Sequence, residues 1–344
     1  GSAISISSMF SDSSKFNQSI DSLDLTNVTD MGRMLQDAIS FNQPINLDSK
    51  NVQSFNSFLS GATSFNQPLT LDLRSAITVD RLLEGATSFN QEIVSTLVTE
   101  LDENGNTVIV SNKMSLPTAV SDNNSIVINN LPDLTGFLKD CTSFNQSLDK
   151  FDFTTVINMT SFLEGATSFN QDIKDINVGN VTNMKNMLKG CTSFNKSLDG
   201  LDTSSVTTME SLLEGATGFN GSIEKMNTAS VTTMKNMLKG ASSFNKPLTK
   251  LDLTSVTTLE GFLEDAVSYN KRLIFSDTDK LNTSAVTTMK NMLKGTTNFN
   301  QEVADLATDN VTTMESMLEG ATSFNKSIVG LPGTSTTNVK HMLK

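Results

Sequence analysis

The dipeptide Phe-Asn returns along this chain at Phe16, Phe41, Phe65, Phe89, Phe144, Phe169, Phe194, Phe219, Phe244, Phe299 and Phe324, and Tyr269-Asn270 fills the one gap. Most steps are 24 or 25 residues. A unit that short cannot bury its own apolar face, so copies must stack and bury a shared core. Seven residues before each aromatic stands a pair such as Met34-Leu35, Leu212-Leu213 or Met317-Leu318. Met9-Phe10 and Met342-Leu343 extend that row, giving about thirteen rungs. The expectation is one repeat array over residues 1–344, starting and stopping inside a repeat.

The unit Asp202 to Met226 serves as the type. Val206, Met209, Leu212, Leu213 and Ala216 follow a spacing that reads as the apolar stripe of a short helix. Asp202, Thr203 and Ser204 stand where they can cap its first turn, and Gly215 stands where a left-handed residue can end it. Phe219, Ile223 and Met226 follow, and Ser222 to Met226 reads as a short strand. The expected fold class is an α/β solenoid, each rung a short helix and a short parallel strand. At the usual strand spacing, about thirteen rungs would span roughly 60 Å. Phe144, Phe169, Phe194, Phe219 and Phe244 would form an aromatic spine. Asn145, Asn170, Asn195, Asn220 and Asn245 would form a buried row bonding the turns of adjacent rungs.

Charge supports the stacking. Five residues before each aromatic, from the fourth rung on, the sequence runs Glu84, Lys139, Glu164, Lys189, Glu214, Lys239, Glu264, Lys294, Glu319 and Lys344. Four residues earlier the same alternation runs from Lys185 to Lys340. Opposite charges are neighbours only if equivalent positions of successive units lie side by side. The alternation avoids a stripe of like charge and disfavours a one-rung slip.

At the level of motif, "SSVTTMESLLEGATGFNGSIEKMN" resembles the repeats of bacterial surface lipoproteins, V-T-x-M-x-x-M-F-x-G-A-T-S-F-N-Q-x-L-x-x-W-D, which are related to BspA-type leucine-rich repeats. The resemblance covers nearly the whole chain apart from one insert. It implies a leucine-rich-repeat-like, right-handed superhelix on a secreted or surface-attached protein, with roles in adhesion or protein binding. The chain departs from the pattern in having Leu23, Leu47, Leu71, Leu201 and Leu251 where the family has Trp, and no lipoprotein cysteine near Gly1.

Two steps are long. Phe89 to Phe144 carries an insert at about 94–120, and Tyr269 to Phe299 a small one at about 274–279. Thr96 to Leu101 and Thr107 to Ser111 read as strands joined at Asn104-Gly105, a hairpin signal. Asp102, Glu103, Asn104 and Asn106 at its tip are the candidate partner-binding residues. The same segment lacks the placed Gly and the closing Glu of a calcium loop.

No catalytic, cofactor or metal site is expected. The chain has one His and two cysteines, Cys141 and Cys191, which occupy a slot otherwise filled by Ala166, Ala216 or Ala241. Paired threonines such as Thr207-Thr208 read as helix caps. The 37 acidic residues against 25 basic ones, a net charge of −12, disfavour nucleic acid as a partner, and no apolar run is long enough to insert in a membrane. The expectation is a non-enzymatic extracellular or cell-surface scaffold for adhesion or for protein or glycan binding. The alternative is a structural subunit of a filament, sheath or capsid-like assembly, stacking on itself through uncapped ends.

Overall fold

The structure is a computed structural model that describes residues 4–73, 75–95, 98–101, 107–111, 131–149, 151, 153–273, 283–304 and 306–344. The chain divides into two compact units, Gly1–Asn180 and Val181–Lys344. Both are built on one plan, most easily followed in the second.

The expected helix is absent. The described residues contain no helix, and regular secondary structure is confined to six strands of two to five residues. The α/β solenoid with a helix in every rung, and with it the leucine-rich-repeat likeness, is therefore incorrect. Backbone hydrogen bonding shows what replaces the helix. Met209, Ser211, Leu213 and Gly215 donate their N–H groups to the carbonyls of Thr233, Lys235, Met237 and Lys239, one rung on, at 3.1, 2.8, 2.9 and 2.7 Å. The residues between them close four-residue β-turns: Leu212 donates to Met209, Glu214 to Ser211 and Ala216 to Leu213. Half of the backbone donors thus leave the segment and tie it to its neighbour.

The backbone conformation enforces this. Ser211 has φ 55° and Gly215 φ 70°, four residues apart. Left-handed residues cannot sit inside a right-handed helix. Gly215 was expected to end a helix; Ser211 lies where that helix would be and breaks it. The residue equivalent to Ser211 is left-handed in rung after rung, as at Ser57, Asn186, Asn236, Gly261 and Ser316. These are residue types that favour turns over helix interiors. A helix from Val206 to Ala216 would also be too short to hold itself together, isolated helices under about 12–15 residues being marginal. The stacked turns satisfy the same donors and add cohesion between rungs.

The apolar pattern survives the change of backbone. Val206, Met209, Leu213, Ala216 and Phe219 are each fully buried. Steps of three or four residues arise here from a chain of turns rather than from a helix face. Val206 closes a turn on Thr203, and Phe219 closes one on Ala216.

The short strand expected after each aromatic is realised only in part. Ser222 to Met226 is irregular. Parallel pairing lies on the approach to the turns and, in the first unit, also four residues after Phe65 and Phe89, the position equivalent to Ile223. β1 (Ile4–Ser5) pairs with β2 (Val28–Asp30), and β3 (Leu69–Leu71) with β4 (Ile93–Ser95), both parallel. In the second unit single parallel bridges link Asn183, Thr208, Thr233, Thr258, Thr288, Thr313 and Asn338 in sequence. β5 (Val98–Leu101) and β6 (Thr107–Ser111) pair antiparallel within the long insert.

The aromatic rings stack face to face. In the second unit Phe194 and Phe219 lie 5.9 Å apart at 5°, Phe219 and Phe244 5.8 Å at 3°, and Phe244 and Tyr269 5.9 Å at 3°. In the first unit Phe144 and Phe169 lie 6.0 Å apart. Phe89 and Phe144 are equally close, at 6.0 Å, so the rungs on either side of the long insert remain in contact. Tyr269 is the exception by chemistry. Its hydroxyl is buried with no hydrogen-bond partner among the described residues, and burial pushes its pKa upward. An orphaned buried hydroxyl costs about 1–3 kcal/mol. Tyr269→Phe is therefore expected to raise the denaturation midpoint, by the equivalent of about 1 kcal/mol; a lowered midpoint would show a hidden partner.

Candidate functional site

Each rung has an inner and an outer set of positions, and a row of asparagines separates them. The side-chain Oδ1 of Asn195 accepts the backbone N–H of Asn220 at 2.7 Å, Asn220 accepts from Asn245 at 2.9 Å, and Asn245 from Asn270 at 3.0 Å. In the first unit Asn145 accepts from Asn170 at 2.9 Å. The row is half-buried or exposed rather than buried: Asn195 is open to solvent and Asn145, Asn170, Asn220 and Asn245 are intermediate. It nonetheless fixes the register of the residue that follows each Asn.

That following residue forms an outer column whose chemistry changes along the chain. In the first unit it is Gln: Gln43, Gln67, Gln91, Gln146 and Gln171 each donate from Nε2 to the Oδ1 of the Asn one rung back, at 3.0–3.2 Å. In the second it is mostly Lys: Lys196, Lys246, Lys271 and Lys326, with Gly221 and Gln301 between. Sequence reasoning noticed the Asn row but not this switch beside it. The signal was present in the aligned repeats, one position past the motif.

The Lys/Glu alternation is realised as isolated pairs. Lys185 meets Glu210 at 3.1 Å, Lys189 meets Glu214 at 3.5 Å, Lys235 meets Glu260 at 3.3 Å and Lys239 meets Glu264 at 3.2 Å. Each lysine bonds the acid of the following rung, so charges are spent in two-rung dyads, matching the two-unit period of the sequence. In the first unit Lys139 meets Glu84 at 2.7 Å across the insert, and this bond holds the Lys139 ammonium above its ordinary pKa. Exposed pairs of this kind contribute about 0–1 kcal/mol each; their larger effect is on register.

The paired threonines are ladder elements rather than helix caps. Thr207, Thr232, Thr257, Thr287 and Thr312 donate their hydroxyls to the carbonyl of the threonine one rung back, at 3.0–3.2 Å. Their partners, such as Thr208, accept the N–H two residues on.

Other candidates carry less. Cys141 and Cys191 are buried and not disulfide-bonded. The Cys141 thiol points at the Leu83 carbonyl at 3.1 Å, and burial pushes its pKa upward, away from reactivity. A cleft of about 530 Å³ in the first unit is lined by Asp149, Phe151, Asp172 and Asp175, but Lys174 already bonds both Asp172 and Asp175. Among the described residues no group of three or more His, Cys, Asp or Glu side chains is placed to hold a metal, and no helix is long and apolar enough to cross a membrane. The insert-tip residues Asp102, Glu103, Asn104 and Asn106, and the small insert at 274–279, lie outside the described residues.

The stacked, register-locked turns define the class: a repeat protein with an invariant interior and a changeable outer edge. The chain belongs to the family described as Mycoplasma protein of unknown function, DUF285, which it matches in four stretches, residues 2–97, 109–205, 196–280 and 272–344. No curated protein matches it.

Proposed function

We propose that this protein is a non-enzymatic, cell-surface or extracellular scaffold that presents the outer edge of its rungs to a protein or glycan partner. One observation carries the reading. Interior positions repeat almost unchanged from rung to rung, whereas the residues after the Asn row vary in charge, size and polarity. A fold that uses its interior solely for stacking leaves those outer positions free to be set by a ligand. The likeness of the repeat to those of bacterial surface lipoproteins supports placement at the surface.

The test is accessibility and oligomeric state. Antibody labelling and protease shaving of intact cells that make the protein should reach it without permeabilisation. Protection until lysis would sink the surface assignment. Sedimentation of the purified chain at micromolar concentration should show a non-polymerised species; fibres or sheets would instead favour a structural subunit.

A further inference from the structure

We infer that the lysine column of the second unit is a docking edge for a sulfated polysaccharide, a partner assignment that rests on the scaffold reading above. The argument begins with which cations are already used. Lys185, Lys189, Lys235, Lys239, Lys290 and Lys294 each face a glutamate within 3.1–3.6 Å. Lys196, Lys246, Lys271 and Arg272 have no ion pair among the described residues. On the outer column Lys326 reaches Glu302 at 3.9 Å, whereas Lys196, Lys246 and Lys271 stand uncompensated among the described residues.

Geometry makes the outer column linear. The Asn195–Asn220–Asn245–Asn270 hydrogen bonds set the residues behind them on consecutive rungs. At a rise of about 4.8 Å per rung, Lys246 and Lys271 stand about 5 Å apart, and Lys196 stands about 10 Å from Lys246. Gly221 lies between those two, buried against the Lys196 carbonyl where a Cβ would not fit. Lys225 and Lys250, both exposed, add charge further along the same outer stretch. The result is a single file of ammonium groups on a protein whose net charge is −12.

The occupant follows from what accompanies the cations. Asp199, Ser222 and Glu224 are interleaved with them and offer acceptors to hydroxyl groups, while the Ser197 and Thr249 hydroxyls donate to the Ser222 carbonyl and to Glu224. Among the described residues no aromatic side chain is among the exposed large apolar residues to stack on the bases of a nucleic acid. A chain of sugars offers both spaced anions and hydroxyls. The equivalent column of the first unit is uncharged Gln, with Asp149, Asp172 and Asp175 close behind it in sequence, so the edge is particular to the second unit.

The test uses the full chain and a heparin dodecasaccharide, titrated calorimetrically at 50 and 150 mM NaCl. Expected is saturable binding that weakens with salt, because exposed charges are screened over about 8–10 Å near physiological ionic strength. The triple variant K196Q/K246Q/K271Q should bind about tenfold more weakly through loss of charge-assisted contacts. Gln occupies this column at Gln171 and Gln301, so the variant should keep its thermal midpoint. K174Q in the first unit should bind like the parent. Independently, heparin should protect Lys196, Lys246 and Lys271 from acetylation in the unmodified protein, a readout that needs no variant. Absence of binding at 50 mM NaCl, equal binding by the triple variant, or unprotected lysines would overturn the assignment, as would equal affinity for fully desulfated heparin, for an oligothymidylate or for phosphatidylserine vesicles. Surface exposure on cells without heparin binding would remove this edge alone; heparin binding by a protein never exposed on cells would remove the scaffold reading alone.

Discussion

Truncating Phe219 to alanine is expected to cost about 3–5 kcal/mol, the range for removing a large buried aromatic. Its ring is fully buried and stacks on Phe194 at 5.9 Å and on Phe244 at 5.8 Å. Removing it deletes two ring–ring contacts as well as apolar burial, and leaves a cavity between two rungs that the Asn195–Asn220–Asn245 bonds hold in register. The lattice of turn hydrogen bonds prevents those rungs from collapsing into the gap. Because stability in a stacked array is approximately a sum of rung and interface terms, the loss should concentrate near Phe194 to Phe244. Amide exchange of Leu213 and Met237 should accelerate far more than that of Leu318. A uniform acceleration along the second unit would mean that its rungs unfold as one block.

A second substitution discriminates between backbones. Ser211 is buried at φ 55°, so Ser211→Val places a β-branched residue in a left-handed conformation and should cost about 2–3 kcal/mol. Ser211→Gly should change stability by less than about 0.5 kcal/mol, because Gly releases the left-handed strain that offsets its entropy. Gly136 and Gly261 already hold this position at φ 63° and 62°. In a helix the order would differ: glycine would be the costly replacement, at about 1 kcal/mol relative to Ala, and valine the mild one. Urea midpoints of the two variants measured together decide the matter, and a glycine variant less stable than the valine variant would restore the helical rung.

The sequence displayed the stacking plainly and the backbone poorly, for a physical reason. Phe-Asn every 24 or 25 residues and the alternating Lys and Glu report which side chains meet across rungs, and those meetings do not depend on how the chain runs between them. A spacing such as Val206, Met209, Leu212, Leu213 and Ala216 reports only which residues face inward. A helix at 3.6 residues per turn and a chain of β-turns satisfy it almost equally. What separates them is the turn-forming residue four positions before most of these glycines: Ser211 before Gly215, Asn236 before Gly240, Asn186 before Gly190. Two turn-prone residues at that interval signal two left-handed positions, and a helix accommodates only the one at its end. The candidate edge was hidden differently. Lys196, Lys246 and Lys271 look like scattered surface lysines until the Asn row aligns them, and their lack of acidic partners among the described residues is visible only after the Lys/Glu dyads have been assigned in space.

The central claim is that each rung donates alternate backbone N–H groups to the next rung instead of closing a helix on itself. Scalar coupling through the hydrogen bond measures this directly. In isotopically labelled, deuterated protein the Leu213 amide nitrogen should couple to the carbonyl carbon of Met237, its acceptor at 2.9 Å. A coupling from Leu213 to Met209, four residues back in its own rung, would contradict the account.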